Sequence, residues 1–277
     1  MSKKILTIQD ISCYGQCSVT VALPILSALG FETAILPSAV LSTHTAGFKD
    51  FTVLDLTDEM PKIINHWKKE KIKFDCIYTG YIGNKVQFDY ILDIKENLLN
   101  EGGLFIVDPA MADHGSMYWG LGEDIVNGMK KISSVADYVL PNITEASFLT
   151  GNKYLEKQTK EYQDKLIKDL YKLGAKNVIL TGVEDGNLLG ASAFDGKNIV
   201  TVLKKKEEKS YHGTGDIFSS IIIGNILNGL DLKTNLDKAT DFIIDSIKNT
   251  VGDENHNYGV KYEEILKNYR LNVKAQL

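Results

Sequence analysis

Short apolar segments alternate with amphipathic segments through most of the chain, and this order leaves few folds open. Apolar segments that predict buried strands lie at Lys4–Ile8, Thr33–Pro37, Cys76–Thr79, Leu104–Val107, Asp137–Leu140 and Asn177–Thr181. Segments with helical periodicity lie at Val19–Leu29, about Glu59–Glu70, Val86–Leu99 and Lys160–Leu173. Because parallel strands need long crossovers, usually helical ones, this order predicts a parallel sheet covered by helices on both faces.

The pattern changes near residue 186. Two short apolar runs, Leu188–Asp195 and Ile199–Leu203, follow Gly186 and are separated by Gly196, which is typical of a hairpin. The hairpin predicts an antiparallel edge on the mainly parallel sheet. Helices are predicted for the remainder at Asp216–Leu227, Thr234–Thr250 and Tyr262–Leu266. Without a repeat, a low-complexity tract or a break in composition, the sequence predicts a single α/β domain over residues 1–277.

Polar residues follow several of the predicted strands. Ligands of such sheets bind outside the carboxyl ends of the strands, so these residues are candidates for a site. They are Gln9 and Asp10, Thr79 to Gly83, Asp108, Asn142 with Glu145, and Thr181. Asn142 and Glu145 are three residues apart where a helix is predicted to begin, and their oxygens suit a hydrated magnesium ion that carries nucleotide phosphates. The alternative is a simple N-capping turn.

Residues Gly213-Thr214-Gly215-Asp216 precede a run of helix-forming apolar residues. They place backbone N–H groups at a helix N-terminus, where the amides lack intrahelical partners and the dipole favours anions. A carboxylate in an anion pocket is unfavourable unless it has a chemical role, and Asp216 is positioned to accept a proton from a hydroxyl group that attacks a phosphoryl group. The alternative is that Asp216 only caps the helix.

Charge and composition exclude several classes of protein. The formal net charge of -5, from 31 basic and 36 acidic residues, argues against nucleic acid or an anionic membrane as the main partner. Arg270 is the single arginine, so a phosphate site must use backbone amides, a metal ion and lysine. No apolar run approaches the roughly 20 residues of a membrane span, and we expect a cytoplasmic protein. P-loop and dinucleotide-binding motifs are absent from the sequence.

These motifs together resemble the ribokinase-like superfamily and, within it, the pyridoxal/pyridoxamine kinases. The family's Gly-Thr-Gly-Asp signature matches residues 213–216. Further matches that resemble the substrate loops of vitamin B6 kinases are Ile8-Gln9, Ser42 with His44-Thr45, Gly80-Tyr81, and Gly115 to Tyr118. The resemblance covers nearly the whole chain and implies a ribokinase-like three-layer αβα sandwich.

The resemblance also implies roles for individual residues. Asp216 would be the catalytic base, which also contacts the substrate, and Gly213, Thr214 and Gly215 would form the hole for the transferred phosphoryl group. Magnesium and ATP phosphates would be served by Asp108, Asn142, Glu145 and Thr181, with Asp108 and Glu145 as metal ligands. The pyridine ring would lie among His44, Thr45, Tyr81 and Tyr118. The resemblance implies a homodimer, and it leaves the need for a monovalent cation such as K⁺ open.

Asp10 departs from the family pattern, since many relatives have serine at this position. A carboxylate opposite the ring nitrogen would favour a protonated pyridinium, so Asp10 is a candidate for selection among B6 vitamers or for a different heterocycle. The predicted reaction is phosphorylation by ATP of the 5'-hydroxymethyl group of pyridoxal, pyridoxamine or pyridoxine. The alternatives are a hydroxymethylpyrimidine kinase of the same superfamily and a non-catalytic B6 or nucleotide sensor.

Overall fold

The computed structural model describes residues 2–45, 47–256 and 258–274. In chain order, the strands of these residues are β1 Lys4–Ser12, β2 Glu32–Leu41, β3 Val53–Asp55, β4 Phe74–Thr79, β5 Leu99–Val107, β6 Ala112–Asp113, β7 Ser116–Met117, β8 Tyr138–Val139, β9 Val178–Asp185, β10 Leu188–Phe194 and β11 Ile199–Lys205. The helices are α1 Val19–Ala28, α2 Met60–Lys69, α3 Gln87–Leu98, α4 Glu123–Ser133, α5 Ile143–Thr150, α6 Lys160–Lys172, α7 Thr214–Leu227, α8 Leu232–Thr250 and α9 Glu263–Lys274.

The main sheet has the strand order β11-β10-β9-β8-β5-β4-β1-β2-β3 in the described residues. Its six central strands, from β9 to β2, are all parallel. Strands β10 and β11 form the predicted antiparallel hairpin at one edge, and β3 pairs antiparallel with β2 at the other. The predicted parallel sheet with an antiparallel edge is confirmed. The second antiparallel edge was not predicted.

Two hydrophobic clusters lie on the opposite faces of this sheet. One cluster contains the buried faces of α2 to α6, and the other contains those of α1, α7, α8 and α9. Successive strand residues alternate between them: in β1, Ile5 belongs to the second cluster and Leu6 to the first. This alternation follows from the strand period of two, and it produces the predicted three-layer αβα sandwich.

Two strands continue beyond their predicted ends because irregular pairings extend them. Strand β1 runs to Ser12, with a shift of register between Gln9 and Ile11, so Asp10 lies within the strand at this irregularity. Strand β9 runs to Asp185, and Gly182, with φ +71°, is the extra residue opposite β10. Such bulges redirect side chains and occur often beside active sites.

Helix α4 and the small β6–β7 hairpin are not among the predicted elements. Gly128 lies inside α4, and a Cβ at this position would come within 2.1 Å of the Phe88 ring on α3. Glycine therefore allows the two helices to pack closely, although it is a poor helix former in sequence terms. The hairpin joins Ala112 to Met117 and Asp113 to Ser116.

Candidate active site

The strand order places the predicted site residues in one row along the carboxyl edge of the sheet. From β9 towards β2 the row contains Thr181, then Asn142 and Glu145 after β8, Asp108 after β5, Tyr81 after β4, Asp10 at the end of β1, and His44 and Thr45 after β2. Within this row, the residues predicted to serve the nucleotide lie at one end, and those predicted to serve the ring, apart from Tyr118, lie at the other.

The Gly-Thr-Gly-Asp segment forms the N-terminus of α7. Gly213 is the N-cap with φ +77°, and no side chain caps the helix there. A Cβ on Gly213 would lie 1.7 Å from the backbone oxygen of Gln16, so only glycine fits. Asp216 is the third helical residue, which makes the simple N-cap alternative wrong. The first-turn amides therefore lack a side-chain cap at the position of the predicted anion pocket, beside Asp216.

The Asp216 side chain is half-buried, and its pKa is strongly raised. Burial raises its pKa to about 7; the charge of Asp108 and, more weakly, that of Asp10 add to this, while a hydrogen bond from the Ser18 backbone N–H opposes them. A carboxyl group with this pKa accepts a proton more readily than an ordinary aspartate near neutral pH. Asp216 is thus a candidate general base.

Asp108 directly follows β5, and its charge contributes to the raised pKa of Asp216. It is buried and accepts a hydrogen bond of 2.6 Å from the Ser219 hydroxyl. Burial raises the pKa of Asp108 to about 7, and the Ser219 bond partly opposes the shift. Ser219 was not among the predicted residues, although its position three residues after Asp216 places both on one face of α7.

Asn142 and Glu145 form a complete capping box at the start of α5. The Asn142 side chain accepts from the Glu145 N–H at 2.9 Å, and Glu145 accepts from the Asn142 N–H at 2.8 Å. The N-capping alternative for this pair is therefore confirmed. Glu145 also accepts from the Met111 N–H at 3.2 Å. Burial, and next the charge of Asp108, raises the pKa of Glu145 well above its ordinary value.

Thr181 lies beside this capping box on the neighbouring strand. Its backbone N–H donates to the Pro141 carbonyl at 2.9 Å, and Thr181 pairs with Asn142 in a parallel bridge. The structure thus brings Thr181, Asn142, Glu145 and Asp108 to adjacent positions, as expected for one nucleotide end of the site.

The β6–β7 hairpin is attached to the first turn of α5 and carries Tyr118. The Asn142 amide donates to the Ala112 carbonyl at 2.8 Å, and the Gly115 N–H donates to the Thr144 hydroxyl at 3.0 Å. Burial, and then the charge of Glu145, raises the pKa of Tyr118. Tyr118 therefore lies near the acidic end of the row.

A cleft of about 320 Å³ opens at the other end of the row. Thr45 and Tyr81 line it, and so do Phe51 and Trp119, which the sequence analysis did not single out. The remaining described residues of its lining are Ser38, Ala39, Leu41, Val53, Asp55, Gly83, Gln87, Gly120 and Leu121. Asp10, His44 and Tyr118 are not among the described residues that line it.

Asp10 is close enough to Asp216 and to Tyr81, which lines the cleft, for its charge to affect both side chains. It is 3% exposed and accepts a 2.9 Å hydrogen bond from the Ser12 hydroxyl. Burial raises its pKa, and hydrogen bonds from Ser18 and Ser12 oppose the shift. Its charge in turn raises the pKa of both Asp216 and Tyr81; that of Tyr81 reaches about 12, mainly through burial. Asp10 thus interacts electrostatically with both the cleft residue Tyr81 and the candidate base Asp216.

His44 is buried beside the loop that leads into α7. Its ring lies 4.9 Å from that of Phe48 and 5.6 Å from that of His212, which directly precedes Gly213. A Cβ on Gly15 would lie 2.2 Å from the His44 ring. His44 thus joins three loops around the anion pocket.

Comparison with known proteins identifies the family. The sequence profile of the phosphomethylpyrimidine kinase family matches residues 23–261. The chain belongs to this family. A member from Bacteroides thetaiotaomicron, solved with pyridoxal and named for the family, is 36% identical, with a TM-score of 0.92 and coverage of 97% of this chain and 96% of its own.

Two further relatives carry different names. Dictyostelium discoideum pyridoxal kinase is 28% identical over 271 residues, which cover 90% of this chain and 87% of that protein. Aquifex aeolicus hydroxymethylpyrimidine/phosphomethylpyrimidine kinase is 34% identical over 180 residues, which cover 63% and 67%. The predicted ribokinase-like phosphotransferase and its similarity to pyridoxal kinases are confirmed.

The phosphomethylpyrimidine kinase family uses a phosphate donor, so the fit of a metal-bound nucleotide matters. None of the ion pairs found among the described residues involves Asp10, Asp108, Glu145 or Asp216. Within the same residues no three His, Cys, Asp or Glu side chains form a ready metal site. Mg²⁺ is usually held by one or two carboxylates together with water and substrate phosphates, and the buried Asp108 and Glu145 carboxyl groups fit that mode.

None of the helices in the described ranges combines the length and the hydrophobicity that a membrane span requires.

Proposed function

We propose that this protein transfers the γ-phosphoryl group of ATP to the 5'-hydroxymethyl group of pyridoxal, pyridoxamine or pyridoxine. The observation that carries the proposal is the placement of Asp216, with a pKa of about 7, beside the open first turn of α7 and near a cleft of about 320 Å³. The Bacteroides relative that holds pyridoxal supports the choice of substrate class.

Asp216 is the general base. It accepts the proton of the substrate hydroxyl as the oxygen attacks the γ-phosphorus. The backbone N–H groups of Gly213, Thr214 and Gly215 donate to the transferred phosphoryl group, and their fixed positions stabilise its charge without reorganisation.

Asp108 and Glu145 hold Mg²⁺, while Asn142 and Thr181 contact the ATP phosphates. Bound magnesium would supply positive charge to the polyphosphate. Burial raises the pKa of both carboxyl groups, and the charge of Asp108 raises that of Glu145 further. Their charged forms are therefore disfavoured in the free protein, and a nearby cation would stabilise them. Running the assay with and without K⁺ decides whether a monovalent cation takes part.

Thr45 and Tyr81 hold the pyridine ring, with His44 and Tyr118 close to it. Asp10 pairs with the protonated ring nitrogen; it is buried, and its charge affects both Tyr81 and Asp216. The protein acts as a homodimer, which sedimentation analysis tests directly.

The deciding experiment measures Mg²⁺-dependent ADP formation with pyridoxal, pyridoxamine, pyridoxine and hydroxymethylpyrimidine, for wild type and Asp216→Asn. We expect highest kcat/KM with a B6 vitamer and a loss of about two to four orders of magnitude in kcat for the variant, with ATP binding retained. Normal turnover by Asp216→Asn contradicts the role of the base.

The second candidate is hydroxymethylpyrimidine kinase, which the Aquifex relative favours. A higher kcat/KM for the pyrimidine than for the vitamers would leave the proposed phosphoryl transfer unchanged and would make the pyrimidine the substrate. Tight binding of a vitamer without ADP formation from any of the four alcohols identifies a sensor instead.

A further inference from the structure

Trp119 is exposed where large aromatic side chains are normally covered. It is 72% exposed, the highest fraction among the large apolar side chains of the described residues. Single exposed apolar residues are common, whereas exposed apolar side chains that lie together often mark a binding site. Trp119 directly follows Tyr118, a residue predicted to lie near the ring, and it lines the cleft together with Thr45 and Tyr81.

Trp119 is paired with a second aromatic side chain across the cleft mouth. Its ring centre lies 5.4 Å from that of Phe51, and the two planes meet at 87°. The residues are far apart in sequence, since Phe51 precedes β3 and Trp119 follows β7. Both line the cleft that Thr45 and Tyr81 also line. Two separate segments therefore present an aromatic corner to the same cavity.

The size of the cleft matches a single flat ring. Its volume of about 320 Å³ is at the lower end of small-ligand sites. An aromatic ring in such a cavity stacks on, or meets edge-on, the aromatic side chains of the wall. Trp119 offers the largest such surface. A ligand can cover it at little cost in free energy, because it is already solvent-exposed in the free protein.

We propose that Trp119, supported by Phe51, is the specificity-determining wall that packs against the heterocycle of the alcohol substrate. The inference rests on the proposed function for the identity of that ring. Trp119 contributes to ring binding and takes no part in proton or phosphoryl transfer, so its loss acts on KM for the alcohol.

The kinetic test compares Trp119→Ala and Trp119→Phe with wild type. We expect Trp119→Ala to raise KM for the vitamer about 10-fold, while KM for ATP and kcat stay within about twofold. Trp119→Phe keeps a ring and should restore most of the affinity. Because the side chain is exposed, neither variant removes core packing. Unchanged KM for every ring substrate in Trp119→Ala overturns the proposal.

A binding test gives a readout that does not depend on turnover. The chain contains two tryptophans, and Trp67 packs against Phe74, 5.7 Å away between ring centres, in a hydrophobic cluster on one face of the sheet. In Trp67→Phe, Trp119 is the single indole, and we expect its emission to change saturably with pyridoxine and with hydroxymethylpyrimidine if both bind. Calorimetric binding without any change in emission overturns the proposal.

Two other outcomes separate the possible failures. If Trp119→Ala alters the sedimentation coefficient while KM stays unchanged, the exposed ring is a subunit contact and the proposal is wrong. Wild type could instead bind the pyrimidine but no B6 vitamer, with a response of Trp119 emission to the pyrimidine. That result contradicts the proposed vitamer substrate and supports the proposed aromatic wall. If wild type binds neither ring, both proposals fall.

Discussion

Gly213→Ala is expected to be the most damaging small substitution in the chain. Gly213 has φ +77°, in the left-handed region, where an alanine costs about 1–2 kcal/mol. In addition, its Cβ would lie 1.7 Å from the Gln16 backbone oxygen, whereas real Cβ contacts are essentially never shorter than 3.0 Å. The two segments must separate by about 1.3 Å, and the Gln16 backbone is itself held by a 3.0 Å hydrogen bond to Tyr258.

The displaced segment carries the anion pocket, so activity falls together with stability. A misplacement of about 1 Å at a reacting centre costs on the order of 100-fold in rate, and we expect kcat of Gly213→Ala to fall by at least this factor. The assay is ADP formation under saturating ATP and vitamer, with thermal unfolding of the same samples.

Gly229→Ala is the matched control. Gly229 follows the other end of α7 with φ +83°, and no atom lies within 4 Å of its would-be Cβ. It therefore carries the backbone cost without the clash, and we expect a loss of about 1 kcal/mol, or roughly 2–4 °C in Tm, with normal kcat. The reasoning is refuted if Gly213→Ala matches Gly229→Ala in both Tm and kcat.

Three further predictions follow from the acidic row and its hairpin. Since Asp216 must be deprotonated to act and its pKa is raised to about 7, kcat/KM should rise with pH up to about 7; a rate already at its plateau at pH 5 contradicts this. Because the raised pKa values of Asp216 and Asp108 make the folded state bind more protons, the free energy of unfolding without ligands should fall as pH rises from about 4 to 7, measured by urea titration. Thr144→Val removes the hydroxyl that accepts from Gly115 and should raise KM for the vitamer severalfold, with Thr144→Ser restoring it.

The sheet and the position of Asp216 were predictable because both depend on local patterns. Strand-helix alternation determines a parallel sheet, and the Gly213–Asp216 segment forms the N-cap and first turn of the helix that follows it in sequence. The boundary at Asp10 was less predictable, since the irregular pairing of β1 with β2 depends on a neighbouring strand that local periodicity does not describe.

The spacing of Asn142 and Glu145 supported two interpretations, and the sequence could not separate them. A capping box needs this spacing of three residues, and the same spacing also puts an amide and a carboxylate on one side of the first helical turn, where they could serve magnesium. The structure shows the capping box, in which Glu145 already accepts two backbone N–H groups. Each carboxylate oxygen keeps a second acceptor site, so the cap is compatible with the proposed role.

The wall formed by Phe51 and Trp119 was out of reach of sequence reasoning. Neither residue belongs to a motif in the sequence, and their contact joins two loops that local periodicity does not relate. The β6 and β7 strands have two residues each, too few to show a period. Ser219 is different, because helical spacing from Asp216 was a usable signal.

The acidic row connects the stability of the protein with its chemistry. Asp10, Asp108, Glu145 and Asp216 all have a raised pKa, because burial and, for Glu145 and Asp216, neighbouring carboxylates disfavour their charged forms. Hydroxyl groups such as that of Ser219 offset only part of this. A fold selected for stability alone would avoid such crowding. Burial and crowding nevertheless raise the pKa of Asp216 to about 7, where a carboxylate is an effective base at neutral pH, and under the proposed function the same crowding favours binding of a cation-bearing nucleotide.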